Sequence, residues 1–217
     1  MCFSATASFA AGSTLSAVGI LTISKIKRKS DILFAAIPLL FGIQQLTEGV
    51  IWLSSQSSVL HMVMAYIYSI FSHVLWPIFI PLSIRLMESV IWRRKVLSAF
   101  TVIGSVVSLY LLYFLVTEPV RAEIVDNSIA YNSPHFYVVP MLLFYFAATC
   151  VSCLFSSHRF VNIFGMFAFA SAIIAYQFWA ATFISVWCFF AAVMSFIIYL
   201  HLQSKAHSLA SSQKNKR

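Results

Sequence analysis

The strongest constraint on this chain is the recurrence of apolar runs about as long as a bilayer is thick, roughly 20 residues each, separated by short basic clusters. The runs cover about 3–24, 32–54, 59–84, 96–117 and 136–156, and the stretch 160–201 divides near Gln177–Trp179 into two more. In hydrocarbon every backbone N–H and C=O must find its partner within the protein, and a helix does this within one segment. The pattern predicts an all-α integral membrane helical bundle of about seven transmembrane helices. It forms a single domain over 1–204, followed by a basic tail over 205–217 with Lys205, Lys214, Lys216 and Arg217 at its borders. Only 9% of the residues are charged, against about 25% in a soluble domain. That is too little charge to cover a water-facing surface.

The net charge of +8 would suggest nucleic acid in a soluble protein. Here the cations sit between apolar runs, which is how orientation is set in a membrane. Lys25, Lys27, Arg28 and Lys29 follow the first run, Arg93, Arg94 and Lys95 the third, and Arg159 the fifth. The alternate loops hold only Arg121. This alternation predicts an outside N-terminus and a cytoplasmic C-terminus, with no nucleic-acid partner. Trp52 and Trp179 then fall near the outer interface and Trp92 near the inner one. The segment Glu118–His135 reads as an acidic outer loop, with Glu118, Glu123 and Asp126 against Arg121. Met1-Cys2-Phe3-Ser4 lacks the basic start of a cleavable leader, so the first run reads as a retained span. The four cysteines are too scattered for a disulfide framework.

Polar groups inside spans are costly, and they mark candidate sites. Gln44, Glu48 and Trp52 recur every fourth residue, and Gln45 precedes Glu48 by three, so all lie toward one helix face. In the third span His73 and Trp76 precede Pro77, whose ring displaces the carbonyl four residues back, that of His73. If the two spans are neighbours, Glu48, Gln44, Gln45 and His73 form a polar column from the outer face to the midplane, with Trp76 and Trp52 beside it. Glu48 would carry a charge or proton, the glutamines would orient it, and His73 would relay it. The alternative is amides acting as interhelical glue and a hydrogen-bonded core histidine at a kink. Arg85 and Glu88, three residues apart, read as an interfacial ion pair. Cys150 and Cys153 form a C-x-x-C near His158 without the usual metal or redox context, His61-Met62-Val63-Met64 reads as a helix start, and the Cys2 thiol has no identifiable base.

The opening Met1-Cys2-Phe3-Ser4-Ala5-Thr6-Ala7-Ser8-Phe9 is followed by a segment running from Phe34 through Ile37-Pro38-Leu39-Leu40-Phe41-Gly42-Ile43-Gln44-Gln45 to Glu48-Gly49, and then by His73-Val74-Leu75-Trp76-Pro77. Together these resemble a family of small bacterial multi-pass membrane proteins of unknown function. The resemblance implies a bacterial inner-membrane setting and no assigned activity. The residues favour a protein that binds or transports a small polar ligand, proton or cation, with prolines 38, 77 and 140 allowing helices to rock. The alternative is an intramembrane, hydrolase-like enzyme acting on a lipid. Its metal form would need about three protein ligands, and His61, His73, His135, His158, His201 and His207 are scattered without an H-E-x-x-H motif. No catalytic residue, metal ligand or cofactor is assigned. A retinal Schiff base needs a lysine within a span, and every lysine lies in a predicted cytoplasmic loop or the tail.

Overall fold

The computed structural model describes residues 4–26, 28–125 and 127–199. Helix α1 (Ala5–Ser24) begins behind Ser4, whose hydroxyl accepts from the N–H of Ala7, the usual use of a serine N-cap. It is followed by α2 (Lys29–Leu53), α3 (Val59–Met87) and α4 (Ile91–Thr117). Next come strands β1 (Ala122–Val125) and β2 (Ser128–Tyr131). Helices α5 (Val139–Leu154), α6 (Arg159–Phe178) and α7 (Ala180–Tyr199) complete the fold. Six of the helices are long and apolar enough to cross a membrane, and α5 is the shorter one, about 24 Å at 1.5 Å per residue. On α4, Val102, Val106, Leu109, Tyr113 and Val116 are all more than half exposed. They recur every three or four residues as one continuous apolar stripe, a surface suited to lipid rather than to water.

The chain departs from the all-α expectation between Glu118 and His135. That segment is not an open loop: β1 and β2 pair antiparallel, with Glu123 opposite Ala130 and Val125 opposite Ser128. Asn127 takes φ of 58° in the turn, the left-handed conformation that tight hairpins require and asparagine tolerates. A second difference concerns Arg93, Arg94 and Lys95. They lie on the first turns of α4 rather than in a separating loop, because the helix already starts at Ile91. The expected division of 160–201 falls at Trp179, where α6 ends. Cys2, His201, His207 and the basic tail lie outside the described residues.

Small residues set the contact between α1 and α2. A Cβ on Gly12 would meet Leu46, one on Gly19 would meet the backbone of Leu39, and one on Gly42 would meet Ser16. The two backbones approach as closely as glycine allows, which is how membrane helices gain packing without a hydrophobic drive.

Prolines shape α3. Residues Ile70–Leu75 form a π-helical turn in which the Trp76 N–H reaches back to the Phe71 carbonyl. This widening precedes Pro77, which has no N–H and crowds the preceding turn. Pro81 in turn deprives the Pro77 carbonyl of its helical donor. That carbonyl projects at Gly104 of α4, where a Cβ would stand 1.8 Å from the oxygen. One turn along α4, the Ser108 hydroxyl donates to the Val74 carbonyl at 2.8 Å. Helix α5 carries its own π-helical turn at Ala147–Val151.

Two apolar clusters stack along the bundle. One gathers Ile51, Tyr68, Leu111, Phe183 and Trp187 with Ile129 and Tyr131 of the hairpin. The other gathers Phe41, Trp76, Ile80, Leu97 and Phe164. On α2 the first cluster contributes Ile51 and the second Phe41, so Gln44, Gln45 and Glu48 occupy the level between them.

Candidate functional site

Gln44, Gln45 and Glu48 have no exposed surface at all. The face they form on α2 turns into the bundle, as the cost of placing amides and a carboxylate against lipid demands. Gln44 Oε1 accepts from the indole N–H of Trp76 at 2.8 Å, joining α2 to α3. Glu48 Oε1 accepts from the Ser185 hydroxyl of α7 at 2.6 Å. The Cys188 thiol, one turn further along α7, lies within reach of Gln44 and of Tyr68 on α3. Trp76 is itself stacked on Phe41 at 3.9 Å, which fixes the direction of its N–H.

The site's donors and acceptors are incompletely used. Among the described residues, both amide atoms of Gln45 are buried without a hydrogen-bond partner, and Gln44 Nε2 has none beyond the Cys188 thiol within its reach. Buried polar atoms are nearly always satisfied, by protein or by a small guest. A cavity of about 30 Å³ lies beside this centre, lined by Phe41, Trp76, Tyr145, Cys188 and their neighbours. Gln44, Gln45 and Glu48 do not line it, and its walls are mostly apolar.

His73 belongs to a second polar group. Its Nδ1 lies 2.7 Å from the Ser72 hydroxyl and its Nε2 lies 2.8 Å from the Ser133 hydroxyl. Both ring nitrogens are therefore engaged away from Glu48 and the glutamines. The Tyr145 hydroxyl donates to the Ser72 carbonyl, tying α5 to the π-helical turn that carries His73. Because His73 and Trp76 are three residues apart on α3, the two groups follow one another along that helix rather than forming one continuous column. Trp52 is half-buried against the hairpin-side cluster, and its indole N–H makes no hydrogen bond among the described residues.

Ser133 also opens onto a larger vestibule of about 510 Å³. Arg121, Glu123, Asn132, Tyr137 and Tyr176 line it with the start of α7. The hairpin roofs this end of the bundle. His61 anchors it: its Nε2 lies 2.9 Å from the Ala122 carbonyl and its Nδ1 lies 3.0 Å from the Ser54 hydroxyl. His61 is thus a buried bridge rather than only the start of a helix.

The opposite end differs from expectation as well. Arg85 and Glu88 do not pair. Arg85 Nε donates to the Ser98 hydroxyl at 2.7 Å. Glu88 accepts from the Ser157 N–H at 2.7 Å, the Ser157 hydroxyl at 2.6 Å and the Val90 N–H at 3.0 Å. The carboxylate thus sits at the starts of both α4 and α6, where unpaired N–H groups and the helix dipole favour a negative charge. Burial raises the carboxyl's pKa, but the Ser157 and Val90 donors and nearby His158 outweigh it and hold Glu88 below the usual carboxylate range. Arg93 completes this junction by donating to the Ser156 carbonyl at 2.7 Å. Cys150 and Cys153 are buried free thiols. Among the described residues, no three His, Cys, Asp or Glu side chains form a group able to hold a metal ion.

Ser185, Cys188, Tyr68, Ser133 and Tyr145 complete these two polar groups. Sequence reasoning passed over them because single serines, tyrosines and cysteines in apolar runs are ordinary. The hairpin did leave a signal: the strand-favouring Ile124, Val125 and Ile129 flank Asn127, a residue that tolerates the left-handed conformation of a tight turn.

The chain belongs to a family of unknown function (DUF6629), whose model matches residues 1–214. No curated protein and no solved structure matches the chain.

Proposed function

We propose that this member of a family of unknown function is a seven-span protein of the bacterial inner membrane that binds and passes a proton or water-sized cation at Glu48. The single observation that carries the reading is the buried carboxylate beside Gln44 and Gln45, whose amides leave a donor and acceptor surplus. Such a surplus suits a water molecule, which both donates and accepts, beside a carboxylate able to hold a proton or a small cation.

Glu48 would hold the charge, with Ser185 fixing one of its oxygens. Gln44, oriented by Trp76, and Gln45 would ligate the guest. His73, held by Ser72 and Ser133, would belong to the separate polar group beneath the hairpin rather than relay to Glu48. Trp52 has no ligand-directed contact and takes the role of an interfacial anchor. Orientation follows the cations: Lys25, Arg28, Lys29, Arg93, Arg94, Lys95 and Arg159 lie at or beside the helix ends opposite the hairpin, and Arg121 lies at the hairpin end. The positive-inside rule then puts the hairpin and N-terminus outside. Helix α5 is short for a span, and a modest thinning of the bilayer accommodates it.

The test is proton or ammonium flux into liposomes carrying a pH-sensitive dye, comparing wild type with Glu48→Gln and Ser185→Ala. Glu48→Gln should abolish flux and Ser185→Ala should reduce it, with insertion and melting temperature retained. Equal flux in wild type and a folded Glu48→Gln variant would falsify the proposal.

A further inference from the structure

The vestibule behind the hairpin does not end in protein on all sides. Its Tyr176 is shared with a second cavity of about 260 Å³, a groove between α5 and α6 lined by Leu142, Leu143, Phe146, Phe169, Ala172, Ile173, Tyr176 and Gln177. Leu143, Phe169 and Ile173 are about half exposed or more, so the groove faces outward from the bundle. Polarity thus changes in one direction. The hairpin end offers a cation, a carboxylate, an amide and hydroxyls, and the groove below offers only aliphatic and aromatic surface until Tyr176 and Gln177 mark the boundary. That is the polarity profile of a single lipid in one leaflet.

The charges indicate which lipid. Arg121 and Glu123 are two residues apart at the start of β1, so they project from one face of the ribbon. Ala130 and Asn132 lie opposite them on that face, and the Asn132 N–H donates to the Arg121 carbonyl at 2.9 Å. No ion pair engages either charge among the described residues; the salt bridge at this end joins His135 to Glu118 at 2.8 Å. A cation and a carboxylate held side by side but facing a cavity complement a group that carries both signs. The guanidinium suits a phosphate. The carboxylate, with the phenol rings of Tyr137 and Tyr176, suits an ammonium.

We infer that the vestibule and the α5–α6 groove together form a binding site for one zwitterionic amino-phospholipid, with its phosphate at Arg121, its ammonium at Glu123 and an acyl chain along Phe146, Phe169 and Ile173. The site is independent of the Glu48 centre and stands or falls separately. It also accounts for the hairpin, which positions the two head-group charges above the groove.

The experiment is native mass spectrometry of the full chain extracted in mild detergent and equilibrated with phosphatidylethanolamine, phosphatidylglycerol or both. Wild type should retain one phosphatidylethanolamine at several-fold excess over phosphatidylglycerol. Arg121→Gln should lower retention of both lipids. Glu123→Gln should remove the preference while keeping binding. Ile173→Trp, an exposed position that fills the groove without touching the hairpin, should lower retention of both. Unchanged melting temperatures exclude misfolding as the cause. Wild type that retains no phospholipid, or retains both equally, overturns the inference. So does full displacement by soluble glycerophosphoethanolamine combined with a silent Ile173→Trp, since the site would then take a free head group and the groove would be idle.

Discussion

Gly104→Ala probes how the prolines of α3 are accommodated. The added Cβ would stand 1.8 Å from the Pro77 carbonyl oxygen, and a normal C···O approach is about 3.3 Å or more. The shortfall is about 1.5 Å. The obstacle is a backbone atom that no rotamer change can remove, so α3 and α4 must separate along their shared face. Overpacking of this kind costs about 1–3 kcal/mol and occasionally more, while replacing a helical glycine by alanine returns up to about 1 kcal/mol. A net loss of about 2 kcal/mol corresponds to a fall in melting temperature of about 4–8 °C for a chain of this size. Thermal unfolding in detergent, followed by tryptophan fluorescence, measures it. Gly49→Ala is the internal control, because the nearest atoms to its Cβ belong to the Phe9 ring, at 3.0 Å, a side chain rather than backbone. The argument also predicts coupling. Pro81→Ala restores an N–H that can draw the Pro77 carbonyl back into its own helix, so Gly104→Ala should cost less in that background. A Gly104→Ala protein that melts within about 1 °C of wild type, or equal costs in both backgrounds, would refute this account of the contact.

Three further outcomes are expected. Glu88→Gln should destabilise the protein at neutral pH by about 1.5–3 kcal/mol, the scale of hydrogen bonds to a charged group. Because the folded pKa of Glu88 is lowered, its contribution is present above the unfolded carboxylate pKa and lost as pH falls through the folded value. The gap between wild-type and Glu88→Gln melting temperatures should therefore be constant near neutrality and close on acidification below the ordinary carboxylate range; a gap that widens there contradicts the assignment. His61→Ala leaves the Ala122 carbonyl without its side-chain donor and should loosen the hairpin, seen as faster tryptic cleavage at Arg121 with little change in global melting. Tyr145→Phe removes the donor to the buried Ser72 carbonyl and should cost about 1–3 kcal/mol, while unchanged stability would mean that another donor replaces it.

Much of this protein was legible before any contact was known. Runs of about 20 apolar residues leave helices as the economical answer in lipid, and the six long apolar helices fall where those runs do. The break at Trp179 and the inward turn of Gln44, Gln45 and Glu48 follow from length and from the cost of exposing polar groups to hydrocarbon. Both are properties of a single segment, so one dimension suffices to read them. Partners are not. Arg85 and Glu88 are correctly spaced for a pair, yet Glu88 is claimed by Ser157, sixty-nine residues away, because two helix starts converge there with unsatisfied N–H groups. His73 and Glu48 looked like one column. The packing of the hairpin segment instead brought Ser133 to His73, while Trp76 and Ser185 closed on Gln44 and Glu48. Helix periodicity determines which face a residue occupies; the packing of helices from distant parts of the chain decides what that face meets.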